Sequence, residues 1–508
     1  MKMNALARRL DEILSIDHTA NAVEFERRWH SWGEIDAARQ AVEAVLAARR
    51  LNDDSRIAIM MRNHVAIVPA IYAVIARRSL VTLNPMLHIE KFAADIPATL
   101  APAVIGVARD LDAPPVRHAL ETFGPLVIEM TGDPASPVVV RQERSDANIA
   151  AARVAAPGIA LEMLTSGTTG TPKRVPMRRD AFEAAVFGAA RFEKGREKGD
   201  APQLRRGVQV LMAPLAHSSG ILALMNAISA GRALTLLERF TVDDFRYVVS
   251  QHKIKVASTP PAALKMIYDA QVPKEELASL SAFRVGTAPL DPDLADAVYD
   301  RYGIAILQNY GATEFGGVAG WTLDDFRDHR VDRRGSVGRL NPGVQGRIID
   351  PDTGAGLPYG VTGILELKST QIGDGKSWTR TTDLARIDAE NFLWIMGRAD
   401  NAIIRGGFKV QPDEVVRALE AHPAVIEAAV VGLKDARLGQ VPVAAFITAK
   451  GASTPSAAEL SAFLKRTLTS YQVPVLFKPM AELPRTTSMK VDLQAMKALL
   501  QPLYETAA

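Results

Sequence analysis

The stretch Leu164 to Met177, LTSGTTGTPKRVPM, gathers the means of holding an anion into a short span. Thr165, Ser166, Thr168, Thr169 and Thr171 supply hydroxyls, Gly167 and Gly170 leave backbone amides uncovered, and Lys173 adds positive charge. Glycines let the main chain approach a ligand closely, and successive amides form a concave anion site. A Walker loop is excluded, since it needs Gly-x-x-x-x-Gly-Lys followed by Ser or Thr. Here Pro172 precedes Lys173, and Gly-x-Gly-x-x-Gly is also absent from this turn. An ordinary surface loop is the competing reading. Five hydroxyls, two glycines and a lysine within nine residues favour a loop that embraces phosphate.

Elements on either side must position that loop. Ile159, Ala160, Leu161 and Met163 predict a strand that delivers it. Asp180 and Glu183 read as a capping pair opening a helix from Ala181 to Phe192. Upstream, helical spacing of apolar residues predicts helices at the N-terminus and over Trp32 to Arg49. Arg56 to Met61 and Leu80 to Leu83 read as strands, with a helix over Val65 to Arg77 between them. Such alternation argues for parallel sheets with helices on their faces. Further on, a strand over Val208 to Leu215 ends in PLAHSSG, with His217 on the turn and an apolar helix beyond Gly220. Lys255 to Thr259 reads as a strand. RVGTAPL (Arg284 to Leu290) and IAILQNYGATEFGG (Ile304 to Gly317) each place a Gly-rich turn after a strand. Ligands of open α/β sheets collect beyond the carboxyl ends of strands, so these turns are expected to surround one crevice.

Bulk properties narrow the classes. A chain of 508 residues should divide into two or more domains. Net charge is +3, and no basic patch interleaved with aromatics points to nucleic acid. Cysteine is absent, so any thiol chemistry must use a thiol from elsewhere. The nine histidines show no i,i+4 pairing of the kind a zinc site would use. The apolar run Val65 to Ala76 is shorter than the roughly 18 residues that span a bilayer, and Pro69 interrupts it. No membrane span is expected, and the N-terminus lacks signal-peptide character, which makes a cytoplasmic protein the expectation.

In their order along the chain these segments resemble the adenylate-forming superfamily of acyl-CoA synthetases, adenylation domains of peptide synthetases and luciferases. The likeness runs from about Trp32 to Lys490. It implies an α/β protein: a large N-terminal domain of parallel and mixed sheets flanked by helices, plus a smaller, mobile C-terminal α/β domain. The expected boundaries are residues 1–398, a hinge at 399–401 centred on Asp400, and residues 402–508. In the small domain helices are expected over Pro412 to Ala421 and Ala457 to Thr469, with strands over Val425 to Val431 and Val443 to Ile447.

The resemblance also assigns roles. Thr165 to Lys173 would wrap the β and γ phosphates of ATP. Asn309, Tyr310 and Gly311 form the turn beside adenine, and Gly286, Thr287 and Ala288 line the adenine and acyl pockets. Thr313 touches the α-phosphate, and Glu314 holds Mg2+, a cation usually bound by few protein groups plus phosphates. Asp383 accepts both ribose hydroxyls and Arg398 is a second ribose or phosphate contact. Lys490 is the adenylation lysine, His217 gates the acyl pocket, and Gly406, Gly407 and Lys409 present a face to coenzyme A.

The implied reaction is ATP-dependent ligation of a small-molecule carboxylic acid to coenzyme A through an acyl-adenylate. Ala216 and His217 stand where amino-acid-activating relatives carry an aspartate, which argues against an α-amino acid because an unpaired buried ammonium is costly. A hydrophobic acid suits Ile221 to Leu224 and the small Gly316, Gly317 and Gly320. Only 18 residues follow Lys490, so a fused carrier domain is not expected. A ligase loading a separate carrier protein is the alternative, and a nucleotide- or acyl-binding sensor with weak catalysis is the alternative from another class. Thr382 and Met489 stand at usual glycine positions, where a side chain discourages positive φ, and Gln440 stands where glutamate is common.

Overall fold

The computed structural model describes residues 4–145, 155–165, 173–188, 201–312, 315–369, 372, 375–405, 408–435, 437–486 and 490–507. Two compact units emerge, one of Met1–Gly167 and Pro172–Ile306, the other of Thr168–Thr171 and Leu307–Ala508.

The first unit starts with α1 (Ala5–Leu14), β1 (Asn21–Phe25), β2 (Arg28–Ser31) and α2 (Trp32–Ala48). Alternation follows in β3 (Arg56–Met60), α3 (Ile67–Ile75), β4 (Ser79–Leu83), α4 (Ile89–Ala98) and β5 (Ala103–Gly106). Beyond α5 (Ala108–Leu111) and α6 (Pro114–Phe123) come β6 (Leu126–Met130), β7 (Val138–Gln142), β8 (Ile159–Thr165), β9 (Lys173–Arg178) and α7 (Arg179–Gly188). Next are β10 (Arg205–Leu211), α8 (Ser218–Ser229), β11 (Arg232–Leu236) and α9 (Val242–His252). The unit finishes with β12 (Val256–Thr259), α10 (Pro261–Asp269), β13 (Ala282–Val285) and α11 (Pro292–Tyr302).

Seven strands form its main sheet in the order β7-β6-β5-β3-β4-β8-β9. The strands from β6 across to β8 run parallel, and β7 and β9 are antiparallel edges. Every residue of β3, β4, β5 and β6 is buried, as a parallel sheet covered on both faces requires. α3 is buried all round and tolerates Pro69 because that residue lies in its first turn, where the missing N–H costs nothing. A smaller sheet, β10-β11-β1-β2, shares the core through Leu6, Leu10, Leu224 and Leu234.

β14 (Ala305–Ala312) leads into the second unit, followed by β15 (Gly316–Gly320), α12 (Leu323–His329) and β16 (Arg339–Leu340). β14, β15 and β16 pair antiparallel. β17 (Gln345–Ile349), β18 (Gly363–Lys368), β19 (Thr379–Ile387) and β20 (Leu393–Arg398) form an antiparallel meander. After a 3-10 turn at Ala399–Asn401 come β21 (Ile403–Arg405), β22 (Phe408–Val410), α13 (Pro412–Glu420), β23 (Val425–Asp435) and β24 (Gly439–Thr448). The chain ends through α14 (Ala457–Leu464), β25 (Leu476–Pro479) and α15 (Leu493–Ala507). α13 and α14 cover one face of the last sheet through Leu419 and Leu460, and α15 covers the other through Met496 and Leu500. The architecture is mixed α/β, with several sheets flanked by helices.

Four local expectations are corrected. α7 begins at Arg179, and its acids do not form a reciprocal cap. Asp180 is held by Arg178 and Glu183 accepts from the Leu6 amide. β10 stops at Leu211 because Pro214 lacks an N–H and the Leu215 amide is taken by Asn63 Oδ1 at 2.7 Å. α14 ends at Leu464, where the backbone tightens to i→i−3 bonds and Thr469 turns toward Gln472. Asn309, Tyr310 and Gly311 lie within β14 rather than on a turn, since Gly311 lets the Gly316 and Gly317 backbone close in. Among the described residues no helix is long and apolar enough to cross a membrane.

One buried ion pair staples the main sheet. Arg56 on β3 grips Glu162 on β8 with two bonds of 2.7 Å and reaches Thr99 O at 2.6 Å. Their side chains are 3% and 7% exposed. Removing one partner strands a charge, so Glu162→Ala should lower unfolding free energy by about 3–5 kcal/mol. Urea titration checks this, and a loss below about 1 kcal/mol would show that water reaches the site.

Candidate functional site

In the second unit the side chains of interest are set by strand register. Asp383 on β19 pairs directly with Arg398 on β20, so the two share one face of the ladder. The Tyr310 hydroxyl donates to Asp383 Oδ2, and Arg398 Nη2 donates to the Thr382 hydroxyl. Thr382 is absent from the positive-φ residues. Its side chain therefore sits without strain and serves as an acceptor for Arg398. Gln440, likewise, keeps an acceptor role, with Oε1 taking the Ile404 amide at 3.0 Å.

Lys490 is presented by a tight hairpin. Thr486 N donates to Lys490 O at 2.7 Å, Asp492 N to Pro484 O at 2.8 Å, and Arg485 bridges to Val491. Lys490 as a residue is exposed. Surrounding protein still strips water from the ammonium and, with the charge of Arg398 close by, holds its pKa below the ordinary lysine range. Tyr310 thus bonds Asp383, Asp383 faces Arg398 across the ladder, and Arg398 lies close enough to Lys490 for their like charges to repel.

Two features here were not foreseen. Gly397 has φ +143°, and a Cβ there would lie 3.0 Å from Asp413 Oδ2. The missing side chain lets the first turn of α13 close on β20. Burial raises the Asp413 pKa, opposed by Arg417 and Arg398 and reinforced by Asp383. Beside it Gln411 Oε1 is buried with no hydrogen-bond partner. Nothing in the local pattern KVQPDEV marks this contact, because it joins residues on different elements.

In the first unit, Thr165 and Lys173 form the last pair of the β8–β9 hairpin and bracket the loop. His217 is half-buried at the N-cap of α8, its carbonyl accepting from Gly220 N and Ile221 N, its amide donating to Pro214 O. Gly220 is obligatory, since a Cβ would sit 2.1 Å from Pro214 O. Ala216 is buried, as are Ile221 and Leu224, which belong to the core. Gly286 is buried at the end of β13, and Ala288 is half-buried. Thr287 takes φ +73°, a conformation that a β-branched residue adopts only under constraint and that clusters at functional positions.

Several expected residues lie outside the described ones: Ser166, Gly167, Thr168, Thr169, Gly170, Thr313, Glu314, Gly406, Gly407 and Met489. The same holds for the side chains of Thr165, Lys173, Asp400 and Lys409; Asp400 falls in the turn Ala399–Asn401, and Lys409 pairs with Ile404 in the β21–β22 ladder. Among the described residues no cluster of three or more His, Asp or Glu could hold a metal.

Comparison with known proteins bears on family and fold. The family described as AMP-binding enzyme matches residues 14–375, and the AMP-binding enzyme C-terminal domain matches residues 414–490. A 4-coumarate–CoA ligase-like protein of Arabidopsis thaliana is 31% identical over 61% of this chain and 56% of its own length. 4-coumarate–CoA ligase 1 of Petroselinum crispum is 28% identical over 61% of this chain and 59% of its own. The chain therefore spans under two thirds of these curated relatives. ATP-bound MatB from Rhodopseudomonas palustris superimposes with TM-score 0.80 at 24% identity, covering 99% of this chain and all of that one. The o-succinylbenzoate CoA synthetase of Bacillus subtilis, with its acyl-adenylate, gives 0.75 at 24% identity, covering 98% of each chain. These two likenesses establish the fold.

The depressed Lys490 pKa has a thermodynamic sign. Its folded value lies below the unfolded one, so the native state bears a penalty at low and neutral pH. That penalty fades as pH rises from the folded value to the unfolded one, because the native state sheds its proton first. Lys490→Met should therefore raise the urea midpoint of the ligand-free protein at neutral pH, with the gain vanishing at strongly alkaline pH. The gain should be small, since the residue is exposed. A midpoint lowered at every pH would mean that the ammonium has a stabilising partner.

Proposed function

As the chain belongs to the AMP-binding enzyme family, we propose that it is an ATP-dependent carboxylic acid–CoA ligase. A substrate carboxylate attacks the α-phosphorus of ATP, giving acyl-adenylate and pyrophosphate. The thiol of coenzyme A then attacks the acyl carbon, losing its proton and expelling AMP to give the thioester. The observation that carries this reading is the grouping of Tyr310, Asp383, Arg398 and Lys490, a phenol on a carboxylate with two cations beside it.

Each residue has a task. Asp383 accepts from the ribose hydroxyls, the Tyr310 ring lies beside adenine, and the exposed Asn309 reads its edge. Arg398 contacts ribose or phosphate, and the loop Thr165 to Lys173 holds the β and γ phosphates. Thr313 touches the α-phosphate. Glu314 would hold magnesium, which neutralises phosphate charge when bound.

Lys490 answers a repulsion, since the carboxylate and the α-phosphate are both anionic and must meet. An ammonium between them stabilises the transition state more than the ground state. The arriving anions also restore the charge that the free site disfavours. After adenylation, residues 402–508 turn about the hinge at 399–401, withdrawing Lys490 and presenting Gly406, Gly407 and Lys409 to the thiol. Residues 1–398 form the large domain of this division.

The substrate is a hydrophobic acid without an α-amino group. Ala216 and the half-buried His217 put no carboxylate where an ammonium would need one. Gly316 and Gly317 leave open space where a Cβ would project. The names of the curated relatives place 4-coumarate at the head of an acid panel. We place the reaction in the cytoplasm, where ATP and coenzyme A are both supplied.

The deciding assay is acid-dependent pyrophosphate release from ATP across that panel, with and without coenzyme A. Release that needs acid, and thioester that needs coenzyme A, is the expected result. Thioester formed only on an added carrier protein would reassign the acceptor, and ATP binding with no release from any acid would make the chain a sensor. Unit charges roughly 4 Å apart at an effective dielectric near 20 interact by about 4 kcal/mol, or about three decades in rate. Lys490→Ala should lose acyl-adenylate formation by that factor, yet still convert supplied acyl-adenylate to thioester. Equal loss in both half-reactions would contradict the role.

A further inference from the structure

We propose that Asn63 is a positioning residue for the acid pocket, fixing the turn Ala213–His217 through its side-chain amide. The inference rests on the ligase reading, in which that turn lines the acyl pocket. Every residue it uses belongs to the first unit. Asn63 lies three residues beyond β3, and the turn follows β10. Both stand at carboxyl ends of parallel strands, where ligands of α/β sheets collect.

The ladder between β10 and β11 runs out just before the turn. Leu211 pairs with Leu236, and the Leu237 amide donates to Leu211 O at 3.0 Å. Past that bond Pro214 offers no N–H, and the backbone turns to Asn63 instead. Its Nδ2 donates to Ala213 O at 3.2 Å and to Leu237 O at 3.0 Å. Its Oδ1 accepts from the Leu215 amide at 2.7 Å. One primary amide thus does the work of a missing strand, with both its protons and its oxygen engaged. The residue is 6% exposed, so little water can replace these bonds.

Asn63 is itself held firmly. Arg62 beside it grips Asp110 with two nitrogens and reaches Glu238, the neighbour of Leu237, at 3.2 Å. The turn then carries this setting to its far end. His217 N donates to Pro214 O at 3.0 Å, and His217 O accepts from Gly220 N and Ile221 N at 3.1 Å each. Ala216 and His217 therefore take their place from a side chain that follows a strand of another sheet. A carboxylate of the same shape would keep the Leu215 bond but face two carbonyls with no donor.

The test compares the full chain with Asn63→Asp, Asn63→Ser and a control, His252→Leu. The serine variant is too short to span both strand ends and carries the measurement should the aspartate variant misfold. The control removes the buried contact of His252 Nε2 with Glu24 Oε2, 2.7 Å apart, elsewhere in the same unit. Hydrogen exchange is followed by mass spectrometry, and KM for acid and for ATP by pyrophosphate release. Both Asn63 variants should exchange faster over residues 211–221 and raise KM for the acid about tenfold, with KM for ATP unchanged. The control should melt lower and move neither KM. Unchanged exchange over 211–221, a parallel rise in both KM values, or an equal rise in acid KM in the control would overturn the proposal. Wild-type failure to release pyrophosphate from any acid would sink the ligase reading. Exchange would then still decide whether Asn63 holds the turn, and calorimetric titration with 4-coumarate whether the turn serves an acid.

Discussion

The antiparallel register of β19 and β20 is the constraint on which the site depends. Placing Asp383 opposite Arg398 puts opposite charges on one face, and the hydroxyls of Tyr310 and Thr382 attach to that pair. A slip of one strand by one residue would turn one of the two side chains to the other face. Gly397 and Gly311 serve the same register by absence: the first admits the turn of α13, the second lets the β14–β15 ladder continue beside Tyr310. Lys490 joins from a hairpin far along the chain, so its setting follows from the strands and not from its neighbours in sequence.

Much of the scaffold was legible in the sequence, because it is written in runs. RIAIM and SLVTL are mostly apolar and become inner parallel strands, while the apolar span around Pro69 becomes a fully buried helix. Element ends were harder, since they turn on single hydrogen bonds. Asn63 decides where β10 stops, and Arg178 decides that Asp180 is not a reciprocal cap. Ser31 and Glu34, by contrast, form a capping box on α2 that the pattern S-x-x-E displays openly and that the reading passed over.

Site residues were legible to the extent that they sit in ordered motifs. Cross-element relations were not. The Thr382 departure looks like a handicap when backbone freedom is considered alone, yet the threonine hydroxyl meets Arg398 across the ladder. Thr287 is the converse: RVGTAPL suggests that glycine carries the unusual torsion, but the constrained conformation falls on the threonine beside it. Arg174 reads as one more cation after Lys173 until the fold brings Thr82 and Asp95 beneath it.

If Asp383 takes the ribose as proposed, its bond from Tyr310 bears on sugar discrimination. Any hydroxyl that reaches this carboxylate meets an acceptor already engaged by a phenol, so what it gains is a difference between hydrogen bonds and not the value of one. In the proposed site a vicinal diol would bring two donors to a carboxylate of which one oxygen is already engaged, so ribose would be separated from its deoxy counterpart by the bond that the second hydroxyl makes.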